Sequence, residues 1–294
     1  MGSGPYRSDG WRHGQSFTVG NVVIHSADVL ALLRRLPGPQ PLREFLAFGY
    51  KQARACIFAG SFFGLLFLST KVTVPGLARY DLILLGALMI QFALVALRIE
   101  SVDELKMIML YHVLGFALEV FKTHPSIGSW SYPEDGVTKL ATVPLYSGFM
   151  YSAIGSYMSQ AWRLLNLTLT NYPAKWITVG VSIGIYVNFF TNAFVADIRW
   201  YLFVAVFVVF FRTRVYFTPL DRTYWMPVSV SFVLIACFVW VAENISTFFK
   251  AWQYPDQAQG WSVVDFHKIT SWSLLVIICF VLIVDLKHLK YARR

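Results

Sequence analysis

Residues His112 to Glu134 read HVLGFALEVFKTHPSIGSWSYPE, an apolar run interrupted by base and acid that ends in an aromatic, acidic loop. On a helix advancing about 100 degrees per residue, His112, Gly115, Glu119 and Lys122 fall within an arc of roughly 80 degrees. They share one face. An ionisable group at mid-depth in a bilayer costs about 2.5 to 3.5 kcal/mol by insertion scales, so that face must look onto protein or a water-filled cavity.

The rest of the chain places this stretch in a membrane. Of 294 residues, 56% are hydrophobic and 14% charged, against about 25% charged in a typical soluble domain. The expectation is an all-α, polytopic transmembrane helical bundle. Eight stretches are long enough, with their flanks, to cross an apolar layer about 30 Å thick: residues 53–72, 80–98, 105–122, 140–162, 175–194, 197–212, 226–249 and 266–286. The sixth is the weakest, being short and carrying Arg199 near one end. Residues 1–20 lack periodicity and read as a flexible tail, and Val22 to Leu36 reads as a surface helix ended by Pro37, Pro39 and Pro41. The chain thus divides into a cytoplasmic tail with an interfacial helix over 1–50 and a membrane domain over 51–290. Nothing in the first thirty residues resembles a cleaved signal peptide, so the chain is expected to begin at Met1.

With alternating crossings, 18 of the 25 Lys and Arg residues fall on the side of the two termini and 7 on the other. The positive-inside rule then puts both termini in the cytoplasm, as in a multi-pass protein of a bacterial inner membrane. GSWSYPE, Asp197, Arg199 and the 250–265 loop lie on the outer face. The net charge of +9 is spread over span ends with no basic domain, which argues against a nucleic-acid partner. Cys56, Cys237 and Cys279 sit in apolar runs with no C-x-x-C pairing and read as small buried hydrophobes. Gly60/Gly64, Gly180/Gly184 and the stripe Ser152, Gly155, Ser156 and Ser159 read as close-packing positions, and Asn188 and Asn192 as interhelical hydrogen-bonding groups.

The opening stretch has a second copy. Glu119, Phe121-Lys122 and Trp130-Ser131-Tyr132-Pro133 are matched by Glu243, Phe249-Lys250 and Trp252-Gln253-Tyr254-Pro255. An even number of spans separates them, which suggests a four-plus-four parallel repeat. If the copies face each other, Glu119 and Glu243 share a recess lined by Trp130, Tyr132, Trp240, Trp252 and Tyr254, with His267, Lys268 and Asp265 beside it. The plainer reading is a set of helix-end anchors, Glu119 paired with Lys122 and Glu243 with Lys250.

Three chemistries suit such a recess. A protonated carboxyl could donate to a carbon-carbon double bond of an apolar or isoprenoid lipid, aromatic faces stabilising the cation. The acid/base groups would then be Glu119, Glu243, His112 and His267. Lys122, Glu134, Asp197, Arg199, Asn244, Lys250 and Lys268 would join the aromatic residues in binding substrate. Alternatively, the acids and His112 bind an ion or small solute for transport, although the inner halves of the spans read as poor in polar groups. A metal site from His112, His124, Glu119, His267 and Asp265 lacks any tight ligand spacing, so no metal or other cofactor is assigned. The expected partner is a membrane lipid or apolar small molecule, and oligomeric state is left open.

The motifs H-x-x-G-x-x-x-E-x-F-K from His112, G-S-W-x-Y-P-E from Gly128 and P-L-Y-S-G-F-M-Y from Pro144 resemble the YoaT-like family of bacterial integral membrane proteins of unknown function, over residues 40–290. That resemblance implies several helical spans. More distantly, the order Glu, G-x-W/Y-x-Y, V-P-L is similar to membrane carotenoid cyclases and hydratases, which implies acid-initiated chemistry on polyene ends. Where cyclases place paired acids after the second proline this chain has Tyr146-Ser147, so Glu119 and Glu243 are the acids it offers instead.

Overall fold

Three prolines decide where the chain enters its helical core. The computed structural model describes residues 16–19 and 22–292, with side chains over 27–285, so most of the expected tail lies outside the described residues. Strands β1 (Ser16–Val19) and β2 (Val22–His25) pair antiparallel and run into α1 (Ser26–Arg35). The surface helix therefore begins four residues later than its apolar spacing suggests, because the β-branched run Val22-Val23-Ile24 pairs as a strand. Pro37 and Pro39 cannot continue it, and Pro41 sits in the first turn of α2 (Gln40–Ala55), where its missing N–H is harmless. α2 meets α3 (Ile57–Ser69) at a 60° bend. Cys56 caps that bend and is exposed, which corrects its reading as a buried hydrophobe; Cys279 is buried.

The remaining helices are α4 (Arg79–Ala96), α5 (Val102–Lys122), α6 (Gly148–Leu164), α7 (Lys175–Thr191), α8 (Arg199–Val209), α9 (Val228–Phe248) and α10 (Lys268–Ala292). Among the described residues, α4, α9 and α10 are long and apolar enough to cross a membrane, and the bent pair α2–α3 makes a fourth if it counts as one span. Large apolar side chains stand exposed on the flanks, among them Phe92 at 75%, Tyr201 at 78% and Phe238 at 77%. That surface suits lipid better than water. α8, with 11 residues, rises only about 16 Å and α3, with 13, about 20 Å.

α5 shows how the site is held. Ser101 and Glu104 form a reciprocal capping box that fixes its start. α5 lies antiparallel on α6, with Gly115 against Tyr151, Gly148 against His112 and Gly155 against Ile108. A Cβ on Gly115 would lie 2.2 Å from the Tyr151 ring, so glycine is what lets that ring pass. α3 packs on α4, α6 and α9, whereas α7 packs on α8, α10 and α5, and α6 touches α10. Of the expected glycine pairs, Gly184 meets Leu202 of α8, whereas Gly60, Gly64 and Gly180 face open space, and Gly86 against Leu65 makes the close α3–α4 approach. Ser152, Gly155, Ser156 and Ser159 are buried, as a packing stripe requires. Their hydroxyls also work: Ser152 donates to Ile108 O, and Ser156 donates to Glu100.

At the end of the bundle where α6 ends and α9 begins, β5 (Thr168–Thr170), β6 (Arg214–Phe217) and β7 (Tyr224–Pro227) form an antiparallel sheet in an otherwise helical chain. α2 clamps it. Glu44 accepts from the backbone N–H groups of Leu220, Asp221 and Arg222, and Lys51 donates to Thr218 O at 2.9 Å.

Candidate functional site

Glu119 and Glu243 are 3% and 2% exposed, near the ends of α5 and α9 that carry the two W-x-Y-P segments. After α5, Gly128 adopts φ +59 and Ser129 N donates to Lys122 O at 3.0 Å, which folds the chain back over the helix it has just left. Trp130 Nε1 and Tyr132 Oη consequently both donate to Glu119 Oε2 at 2.7 Å, while Tyr151 Oη on α6 donates to Oε1 at 2.9 Å. Glu243 is held in the same manner. Tyr254 Oη donates to its Oε1, and Trp272 Nε1 on α10 donates to Oε2 at 2.7 Å.

The two cages touch. Ser131 and Gln253, the central residues of the two W-x-Y triplets, exchange a pair of backbone hydrogen bonds, both 2.9 Å. Trp130 meets Tyr254 edge to face at 6.2 Å, and Tyr151 meets Trp272 at the same centroid distance. The Lys268 ammonium lies 4.3 Å from the Tyr254 ring centroid and 6.0 Å from that of Trp130, capping the aromatic seam. Burial, and next the neighbouring Glu119 carboxyl, push the Tyr132 hydroxyl well above the ordinary tyrosine range. Burial and Glu243 do the same to Tyr254. Among the described residues neither acid forms an ion pair, so the expected partners Lys122 and Lys250 do not serve them: Lys122 Nζ donates to Asn192 on α7 at 2.7 Å.

Other candidates stand apart from this centre. His267 is exposed and bonded to Asp265 at 2.9 Å. His112 packs against Phe149 and Phe116, reaches neither acid, and its buried Nδ1 has no hydrogen-bond partner. Asp197 binds Arg199 at 2.8 Å and Asn188 at 3.1 Å; burial pushes its carboxyl up, but Asn188 and then Arg199 outweigh this and hold it below the usual range. Glu134 pairs with Arg79 at 2.6 Å. Trp240 Nε1 donates to Val264 O, Asn244 accepts from Val264 N, and Trp252 packs in the apolar cluster around Phe58 and Tyr146, so these three hold the 250–265 loop. Among the described residues no three His, Cys, Asp or Glu side chains are grouped to hold a metal ion.

Three participants escape a reading of the sequence. Tyr151 closes the P-L-Y-S-G-F-M-Y motif one turn before Gly155 of the small-residue stripe on the same helix, which could have marked it. Trp272 lies one turn after Lys268 and takes the place that Trp130 has in the first cage. Glu100, 2% exposed, accepts from Gln91 at 2.5 Å and from Ser156, near the opposite end of α5 from Glu119. Gln160 and Arg163 both donate to the neighbouring Ile99 carbonyl. The end of the bundle around Glu100 is therefore richer in buried polar groups than its sequence suggests.

With this geometry in hand, residues 44–280 match the family described as "Protein of unknown function (DUF817)". The chain belongs to that family. It is 45% identical over 249 residues to the "Uncharacterized protein YoaT" of Bacillus subtilis (strain 168), covering 85% of this chain and 94% of the relative. The family match spans both W-x-Y-P segments and both caged acids. No solved structure matches the chain.

Proposed function

We propose that this DUF817 protein carries out acid/base chemistry on an apolar, isoprenoid-type lipid inside a bacterial inner membrane. Glu119 and Glu243 are the proton-carrying groups. One observation carries the reading: two buried carboxyls, each hydrogen-bonded by tryptophan and tyrosine donors and neither in a salt bridge among the described residues, joined through the Tyr151–Trp272 contact, with the Lys268 charge acting on Glu243 alone. Glu119, a buried acid without a counter-ion, is costly as an anion and is stabilised by taking up a proton. The aromatic walls suit a substrate that gains positive charge: the carboxyl proton adds to one carbon of a double bond, and the neighbouring carbon becomes a cation. That cation then returns a proton to the carboxylate, giving an isomer, or takes up water and releases a proton, giving an alcohol.

The accompanying topology is α3 to α10 as eight crossings, arranged as a four-plus-four repeat with both termini cytoplasmic. Exposed Phe194, Val195, Ile198 and Phe211 extend the apolar surface of short α8 in both directions, which favours its crossing. The repeat is favoured by the reciprocal Ser131–Gln253 pairing and by α3 lying on α9 as α7 lies on α5. A second reading, a transporter or binding protein, is favoured by the buried polar column running along α6 from Tyr151 through Ser152 and Ser156 to Gln160.

Mass spectrometry of the lipid extract from cells expressing the wild type, Glu119→Gln or Glu243→Gln tests the first reading. An isomerised lipid, or one heavier by a water, should accumulate with the wild type and vanish in both variants. Unchanged extracts accompanied by uptake of a solute into vesicles would replace it with the second reading.

A further inference from the structure

Between the end of α3, the start of α4 and the end of α9 lies a cleft of about 530 Å³ that the proposed chemistry does not use. Phe67, Leu82 and Phe248 give it an apolar lining, and Lys71, Arg79, Lys250 and Glu134 give it a charged rim. Arg79 is committed to the fold. It donates through Nη1 to Glu134 and Lys250 O, through Nη2 to Phe249 O, and through Nε to Ser69. Its charge is thereby neutralised, and two ammonium groups remain. Lys71 lies 6.0 Å from the Phe67 ring, and neither Lys71 nor Lys250 has a carboxylate partner among the described residues.

Lys250 carries an independent signal. It follows the last turn of α9 with φ +57, where Ala251 N reaches back to Ser246 O. That helix-end conformation favours glycine, and a lysine there is strained. Such strain persists where the side chain has work to do.

We propose that this cleft binds a phosphate-bearing membrane lipid. The phosphate sits between Lys71 and Lys250, and the first chain methylenes run along Phe67, Leu82 and Phe248. Unneutralised cations call for an anion, whereas the apolar lining calls for a tail, and a phospholipid supplies both. Free phosphate would satisfy the rim and leave the lining wet.

Native mass spectrometry of the full-length protein, titrated with phosphatidylglycerol, phosphatidylcholine or inorganic phosphate, tests this. Phosphatidylglycerol should bind more tightly than phosphatidylcholine, and inorganic phosphate should not displace it. Removing one ammonium should weaken binding about fivefold, and Lys71→Gln with Lys250→Gly about twenty-fivefold. Lys250→Gly keeps the test clean, because glycine relieves the φ strain and should hold or raise Tm while binding falls. Equal binding of the two lipids, displacement by inorganic phosphate, or a folded Lys250→Gly variant with undiminished phosphatidylglycerol affinity would each overturn the proposal. Glu119→Gln should leave lipid binding at this cleft unchanged, which separates it from the acid/base reading.

Discussion

Tyr151→Phe removes one oxygen atom and with it one of the three hydrogen bonds to Glu119. The ring stays against Gly115 and Trp272, so packing is nearly conserved and the loss is that of the donor alone. A hydrogen bond to a charged group contributes about 1.5–3 kcal/mol, and one between neutral groups about 0.5–1.5 kcal/mol. The variant therefore reports the protonation state of Glu119. At about 2 °C per kcal/mol for a chain of this size, an ionised Glu119 predicts a Tm loss of roughly 3–6 °C and a protonated one roughly 1–3 °C. Thermal unfolding in one detergent, followed by tryptophan fluorescence, measures it. A double-mutant cycle with Glu119→Leu, which removes the acceptor, isolates the pair. The reasoning fails if Tyr151→Phe costs as much in the Glu119→Leu background as in the wild type, because the loss would then have nothing to do with the acid.

Gly115→Ala should cost about 1–3 kcal/mol from overpacking, as the new methyl must push the Tyr151 ring off Glu119, and the Tyr151→Phe effect should shrink in that background. Unfolding of the single and double variants checks both. Asp197 has a folded pKa below its ordinary 3.8, so its bonds to Asn188 and Arg199 stabilise the α7–α8 link above about pH 4 and are lost as pH falls through the lower folded value. Fluorescence of the neighbouring Trp200 should change over that acidic window in the wild type and stay flat in Asp197→Asn. Gln253→Pro deletes one donor of the Ser131–Gln253 exchange and leaves a carbonyl unpaired, so proteolysis within residues 125–140 and 250–265 should quicken while secondary structure by circular dichroism is retained.

The helical core was legible because apolar runs are long and their ends carry charge, proline or an acid. Glu119, Trp130, Tyr132, Glu243 and Tyr254 could be named because they recur in the same order, an acid, then Phe-Lys, then W-x-Y-P. What resisted reading depended on contacts between distant segments. β5 and β6 are three and four residues long and over forty positions apart, so nothing local announces their pairing. Trp272 replaces Trp252 as the second indole donor because α10 approaches Glu243 from another side, a fact of packing. His267 misled for the opposite reason: Asp265, two residues away, satisfies it locally and leaves it facing outward.

The Ser131–Gln253 exchange also limits how the molecule can move. Two backbone groups from widely separated parts of the chain are buttoned together at one end, and backbone bonds of this kind do not lengthen by an ångström without breaking. Both ends of the bundle are thus fastened by backbone groups, this one by the paired triplets and the sheet end by the grip of α2 on residues 218–222. A cross-link across residues 131 and 253 should therefore be tolerated.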